Sequence, residues 1–446
     1  MYFNSDEYTD ETLESRDCIL HYRAYRNVPY VSNPVCERLQ VLNIFIPIQY
    51  INGQTVNNYT SNTAPIFFPN AIGGYMEANP CSPYVKENGD FNTEALALKR
   101  GYVVISAGVR GRTTTDESGK FIGKAPSCIV DLKAAVRFVR SIADKICGDV
   151  NKIVSNGTSA GGAMSALLGA SGDCEEYEAY LSQIGAANQS DSIFASSCYC
   201  PITNLENADS AYEWQYGHLN CNHWTRWNSD NTTTEMIDYF SLKQKQHSED
   251  LKHIFAEYVE MLKLKDAHTL LLLEEFICTK LIESAKKAEQ EGECVSKECG
   301  IYLAENKMNF ALYNSYITRM KTVCCFDNPH AFTCENELFG NEFENVRHFT
   351  DYGFQNDLAC VQRAPEMTVF LMNAMNFVGR KGCVKHWRIR HGAADRDTSF
   401  AISACLTLKL EECGYSVDYS LPWGVEHSGD YDLNELFDWI DFICKR

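Results

Sequence analysis

The sequence predicts an α/β fold in which a mostly parallel sheet, covered by helices on both faces, is interrupted by a long helical insertion. Three observations carry that prediction. Short apolar runs alternate with helix-period segments through residues 1–204, the rhythm of strand–helix–strand units. From about 205 to 370 that rhythm stops: apolar residues fall on helical spacing and no convincing buried strand appears. Past 370 the alternation returns and runs to the C-terminus. The expected organisation is a first core segment at 1–204, an inserted, mainly helical domain at 205–370, and a second core segment at 371–446.

Taken in order, residues 1–37 hold few apolar patterns and are expected to wrap the surface. Residues 41–47, 65–69 and 102–106 are runs apolar enough to lie inside a sheet. Between the second and third runs, Asn70, Ala71, Ile72, Gly73 and Gly74 form a loop of small residues. Leu132, Ala135, Val136 and Val139 fall at i, i+3, i+4, i+7 and predict a helix. Ile153, Val154 and Ser155 form the next strand, followed by a helix with Met164, Leu167 and Leu168, then by a strand ending near Cys200 and Pro201. In the insertion, Leu251, Ile254, Phe255, Tyr258, Val259 and Leu262 share one helical face, and Leu270 to Phe276 continue as apolar helix. Residues 285–289 read as exposed helix or turn. Trp387 to Arg390 and Val417 to Pro422 are the last two strands, separated by a helix with Ala401, Ala404, Cys405 and Leu408. The closing helix presents Leu433, Leu436, Phe437 and Ile440.

With 45% apolar and 22% charged residues, the chain of 446 can bury a sizeable core. Forty Lys and Arg against 59 Asp and Glu leave a net charge of −19. Such a surface repels phosphate backbones and anionic lipid, so neither nucleic acid nor membrane is an expected partner. No apolar run approaches the ~20 residues of a spanning helix. The acidic start, from Met1 to Glu7, lacks an apolar signal core, and the expected location is cytoplasmic. On that reading the 20 cysteines are reduced thiols. His218, Cys221 and His223 have zinc-ligand chemistry but match no standard spacing, so neither a metal nor another cofactor is expected. Nothing in the sequence sets an oligomeric state.

The chemistry centres on Gly157, Ser159 and Gly161, a G-x-S-x-G pattern. Chance alone supplies that pattern in roughly one of seven chains this long. Here a strand leads in and a helix leads out, the setting of a nucleophile elbow, where small flanking residues allow the sharp turn that lifts the serine hydroxyl above the sheet. A serine hydroxyl needs a base to take its proton and a carboxylate to orient that base. In α/β-hydrolases these follow in the order serine, acid, histidine. Ser159, Asp395 and His427 keep that order, and the last two lie on loops directly after strands. His391 is a competing histidine but precedes the acid. Asp395 could instead be a turn residue, and Asp397 the N-cap of the following helix. The oxyanion of the reaction needs preorganised donors. The Ala160 amide, after the nucleophile, is one; Gly73 is the candidate for the other, against the simpler reading of a plain turn.

Several stretches resemble the bacterial tannases (tannin acyl hydrolases): residues 69–75 (PNAIGGY), 157–169 (GTSAGGAMSALLG), 200–206 (CPITNLE), 390–399 (RHGAADRDTS) and 427–432 (HSGDYD). The resemblance extends over nearly the whole chain, insertion included. It implies an α/β-hydrolase fold with a large inserted helical lid and a serine esterase that cleaves galloyl ester and depside bonds to release gallic acid. It implies a triad on Ser159, Asp395 and His427, and a grip on the galloyl hydroxyls by Lys321, Glu335 and Asp397, with Glu337 as a rival acid. The chemistry of that trio suits phenols, since lysine donates to phenolic oxygens and carboxylates accept from phenolic hydroxyls. A feruloyl or simple aryl carboxylesterase of the same fold stays open, as does a hydrolase-like binding protein without catalysis.

Overall fold

The structure, a computed structural model, describes residues 3–228 and 232–445. Nine strands form its central sheet in the order β1 (Thr9–Glu14), β2 (Ile19–Pro29), β3 (Val41–Pro47), β5 (Val103–Ala107), β4 (Pro65–Pro69), β6 (Asp149–Thr158), β7 (Ala195–Tyr199), β12 (His386–Arg390) and β13 (Ser416–Ser420). From β5 to β13 neighbours are parallel, while β1, β2 and β3 are antiparallel to one another and β3 to β5. β3, β4, β5 and β7 are buried along their whole length, as expected of strands covered on both faces. β7 reaches that state with small residues: a Cβ added at Gly169 would lie 2.8 Å from Ser196 Cβ and 3.0 Å from Trp387, so the helix Ala160–Ala170 packs directly on the sheet.

The N-terminal segment differs from expectation. Residues 1–37 do not merely wrap the surface; β1 and β2 extend the sheet at its antiparallel edge. Leu20, Tyr22 and Ala24 of β2 point into the core while Ile19 and His21 face out, an alternation that lowers the apparent apolarity of the run.

Among the described residues of 205–370, no strand joins the central sheet. Helices dominate there, the longest being Leu242–Leu262 and Leu270–Gln290. Ser241 closes a capping box on the first and Thr269 caps the second. Leu251, Phe255 and Val259 form the buried stripe of the first. Residues 285–289 are part of the second helix, with Ala285 and Ala288 buried rather than exposed. Two antiparallel pairs also lie in this region, β8 (Cys221–Trp227) with β9 (Thr233–Tyr239) and the short β10 (Ile301–Tyr302) with β11 (Lys307–Met308); the first is largely exposed, which explains why no buried strand was legible. Among the described residues no helix is long and apolar enough to cross a membrane.

Candidate active site

The elbow forms where β6 ends and the helix Ala160–Ala170 begins. Ser159 sits between them at φ 60° and ψ −123°, a conformation strained for a residue with a side chain. The glycines are required by contact. A Cβ at Gly157 would lie 2.4 Å from the Gly161 carbonyl oxygen, and one at Gly161 would lie 2.5 Å from Asn70 Oδ1. Asn70 is a residue that motif reading missed. Its Nδ2 donates to Asn156 O (3.1 Å), Gly161 O (3.2 Å) and Ser165 Oγ (3.0 Å), so the loop after β4 is fastened to the elbow.

Ser159 Oγ lies 2.8 Å from His427 Nε2, and His427 Nδ1 lies 2.8 Å from Asp395 Oδ2. The three groups come from the turn after β6, the loop after β12 and the loop after β13. The two loops are joined through their backbones: Ala393 N–H donates to Pro422 O and Ala394 N–H to Val425 O, each at 2.9 Å. Contact is so close that a Cβ at Gly392 would fall 2.2 Å from Val425 O. Asp395 is fully buried, and its Oδ1 accepts the Asp397 N–H at 2.8 Å. Burial opposes its charge, but His391 and His427 outweigh burial and hold the carboxyl below its ordinary value. Burial likewise works against a charged His427, yet the Asp395 carboxylate prevails and raises its pKa. Asp397 is not the cap of the next helix; Ser399 is, accepting from the Ala401 N–H.

The insertion braces the acid loop. Tyr313 donates to Ala393 O (2.7 Å), Tyr216 to Asp395 O (3.3 Å) and Tyr212 to Arg396 O (2.9 Å). These long-range partners carry no local sequence signal. Cys200, at the end of β7 with φ 35°, has its Sγ 4.0 Å from His427 Nε2 and donates to Ser428 O. Burial keeps its thiol protonated. Cys200, Asp395 and His427 form the one cluster with metal-ligand spacing among the described residues, and each is already engaged in the hydrogen bonds just given. His218 turns to Ala311 O and Ser315 Oγ, away from the Cys221–His223 contact of 3.6 Å.

Ala160 opens its helix, so its amide has no intrahelical partner and is free to meet an oxyanion. Gly73 lies on the fastened loop with open space beside it: nothing would come within 4 Å of an added Cβ. Arg112 Nε donates to Gly74 O at 2.7 Å and pairs with Glu337. That engagement separates the two acids on the helix Cys334–Leu338: Glu337 belongs to Arg112, while Glu335 interacts with Lys321. Lys321 Nζ lies 3.5 Å from Asp397 Oδ1 and 4.5 Å from the centre of the Phe326 ring. Asp397 Oδ2 is in turn 4.0 Å from His427 Nδ1, so Asp397 and its partner Lys321 border the Ser159–His427–Asp395 contacts, with Glu335 interacting with Lys321. Burial disfavours the Lys321 charge, but Cys325, Asp397 and Glu335 outweigh it and the ammonium is held. Burial raises the Glu335 pKa, with Lys321 the main opposing influence. Arg319, fully buried, pairs with Glu213 and donates from Nε to Lys321 O at 2.7 Å, which fixes the backbone at Lys321.

Residues 81–236 match the BD-FAE family model. No curated protein sequence matches the chain. Among solved structures, the tannase of Fusobacterium nucleatum is 41% identical, with TM-score 0.94 and coverage of 99% of both chains. A tannase from Lactobacillus plantarum is 40% identical, with TM-score 0.93 and 99% of both chains covered. A tannin acyl hydrolase solved in complex with ethyl gallate is 41% identical, with TM-score 0.93, 99% of this chain and 98% of that one covered.

Proposed function

This chain belongs to the bacterial tannases, and from that premise we propose that Ser159, His427 and Asp395 are the catalytic triad of a galloyl esterase. Its reaction is the hydrolysis of galloyl esters; depside bonds between galloyl groups fall within the same chemistry. The observation that carries the assignment is the continuous pair of 2.8 Å contacts from Ser159 Oγ through His427 to the buried Asp395 carboxylate.

In this mechanism His427 Nε2 takes the Ser159 proton as Oγ attacks the ester carbonyl. Asp395 holds the imidazole in the tautomer that leaves Nε2 free and stabilises the imidazolium that forms. The carbonyl oxygen, now negative, is met by the amides of Ala160 and Gly73. His427 gives its proton to the departing alcohol, and water then releases gallic acid from the galloyl-enzyme by the same path. Lys321 donates to the phenolic oxygens of the ring, while Glu335 and Asp397 accept from its hydroxyls. A pocket so built rejects rings without hydroxyls because its own polar groups stay unpaired. The free thiols suit a reducing compartment, and we place the enzyme in the cytoplasm.

Ser159→Ala tests the assignment directly. Methyl gallate turnover by the folded variant should fall to background, and retained turnover would refute the mechanism.

A further inference from the structure

His391 is a buried imidazole that the mechanism leaves unused. It is fully buried, and its Nε2 has no hydrogen-bond partner although it points to within 3.4 Å of Asp395 Oδ2, the oxygen that also binds His427. A buried ring nitrogen without a partner calls for a reason. The other nitrogen, Nδ1, lies 2.9 Å from Ser403 Oγ, and Ser403 Oγ lies 3.1 Å from the Tyr419 hydroxyl. The Phe400 ring packs against the imidazole at 5.1 Å between centres.

These contacts leave two tautomers. If Nδ1 carries the proton, a bare Nε2 lone pair faces a buried carboxylate. If Nε2 carries it, Tyr419 donates to Ser403, Ser403 turns its proton to Nδ1, and Nε2–H points at Asp395. The second arrangement leaves no lone pair facing the carboxylate and sets Nε2–H against Asp395 at a distance long for a hydrogen bond; the Phe400 carbonyl that Ser403 reaches at 3.1 Å still has its helix hydrogen bond. We propose that His391 is a positioning residue for the catalytic carboxylate, a second N–H donor that shares Asp395 Oδ2 with His427. At 3.4 Å the contact is long, and it acts through the attraction between the N–H dipole and the carboxylate charge. By taking part of the carboxylate's charge, the donor limits how strongly Asp395 favours the imidazolium of His427, so the base is neutral at a lower pH than it would be otherwise. Burial lowers the pKa of His391 itself, against the opposing pull of Asp395. The groups facing this pair are Asp397 on the acid loop, Cys200 at the end of β7, Tyr419 on β13 and, facing Asp395, Lys321 from the insertion.

The inference rests on the triad assignment and fails separately from it. In an enzyme that loses turnover with Ser159→Ala, His391→Phe keeps a ring in place but removes the donor. The acid limb of the pH profile should move up by roughly one unit, so kcat/KM for methyl gallate measured on that limb should fall roughly tenfold while the plateau above it changes little. His391→Gln places an amide N–H near the Nε2 position and should recover most of both. A limb that stays at the parental pH in His391→Phe, or a Gln variant no better than Phe, would overturn the proposal and leave His391 as core packing. Nitrogen-15 NMR of the unmodified protein covers the case in which Phe does not fold: a proton on Nε2 is expected, and a proton on Nδ1 overturns the proposal.

Discussion

Replacing Lys321 by alanine separates recognition of the galloyl ring from the chemistry of the ester. Lys321 Nζ stands 3.5 Å from Asp397 Oδ1 and is the main charge offsetting burial at Glu335. A hydrogen bond from an ammonium is worth about 1.5–3 kcal/mol, or roughly 10- to 150-fold. The variant also leaves two carboxylates, Glu335 and Asp397, without their shared cation, so the Glu335 pKa climbs further and the carboxylate acceptor is lost as well. We expect kcat/KM for methyl gallate to drop by about two orders of magnitude, while that for methyl benzoate changes by less than about threefold. Because Glu335 then ionises only at higher pH, what remains of the preference should be larger under alkaline than under acid conditions. Steady-state rates on methyl gallate, methyl 3,4-dihydroxybenzoate and methyl benzoate across pH measure all of this. A gallate-to-benzoate ratio within about threefold of the parent would refute the reasoning.

Three other outcomes follow from contacts elsewhere. Gly157→Ala should abolish activity or prevent folding, because its Cβ would lie 2.4 Å from the Gly161 carbonyl oxygen, which is backbone, and 2.5 Å from Asn70 Nδ2, which fastens the loop to the elbow; an active variant with parental kcat would contradict the elbow geometry. Asp327→Ala should cost about 3–5 kcal/mol in a urea melt, since the buried carboxylate accepts from His348, Asn336, Thr350 and two backbone amides, and a loss below about 1 kcal/mol would contradict it. Lys124, buried and bonded to Glu337 O and both oxygens of Asn345, is pushed down to about 8 by burial, with the Arg112 charge adding to it. Between that value and the ordinary 10.5 the unfolded chain keeps a proton that the native chain has released, so this contribution to stability rises with pH, by about 3 kcal/mol across the window. Lys124→Met should flatten the rise, as denaturation from pH 8 to pH 10 would show; an unchanged slope would count against it.

The parallel half of the sheet and the order of Ser159, Asp395 and His427 were legible because each is written locally: an apolar run, a glycine pattern, a loop after a strand. β2 carried a period-two signal as well, but its outward positions, among them His21 and Arg23, dilute it to the eye. What sequence reading did not reach is held by pairs distant in the chain. Asn70 meets Ser165, Glu213 meets Arg319, and Tyr216 meets Asp395, and nothing local to either partner announces the other. Glu335 and Glu337 sit two residues, roughly half a turn, apart on the same short helix, and only the fold shows that Glu335 is the buried one while Arg112 takes Glu337.

The backbone seam at Gly392 has a mechanical consequence. With amides of 393 and 394 bound to carbonyls of the histidine loop, acid and base travel as a single part, and no room exists at residue 392 for one to slide over the other. The histidine loop is tied to the elbow side as well, by the Cys200 thiol on Ser428 O and the Asn156 amide on Asp430 Oδ1, so the same rim that keeps Nδ1 on Oδ2 also keeps Nε2 against Oγ.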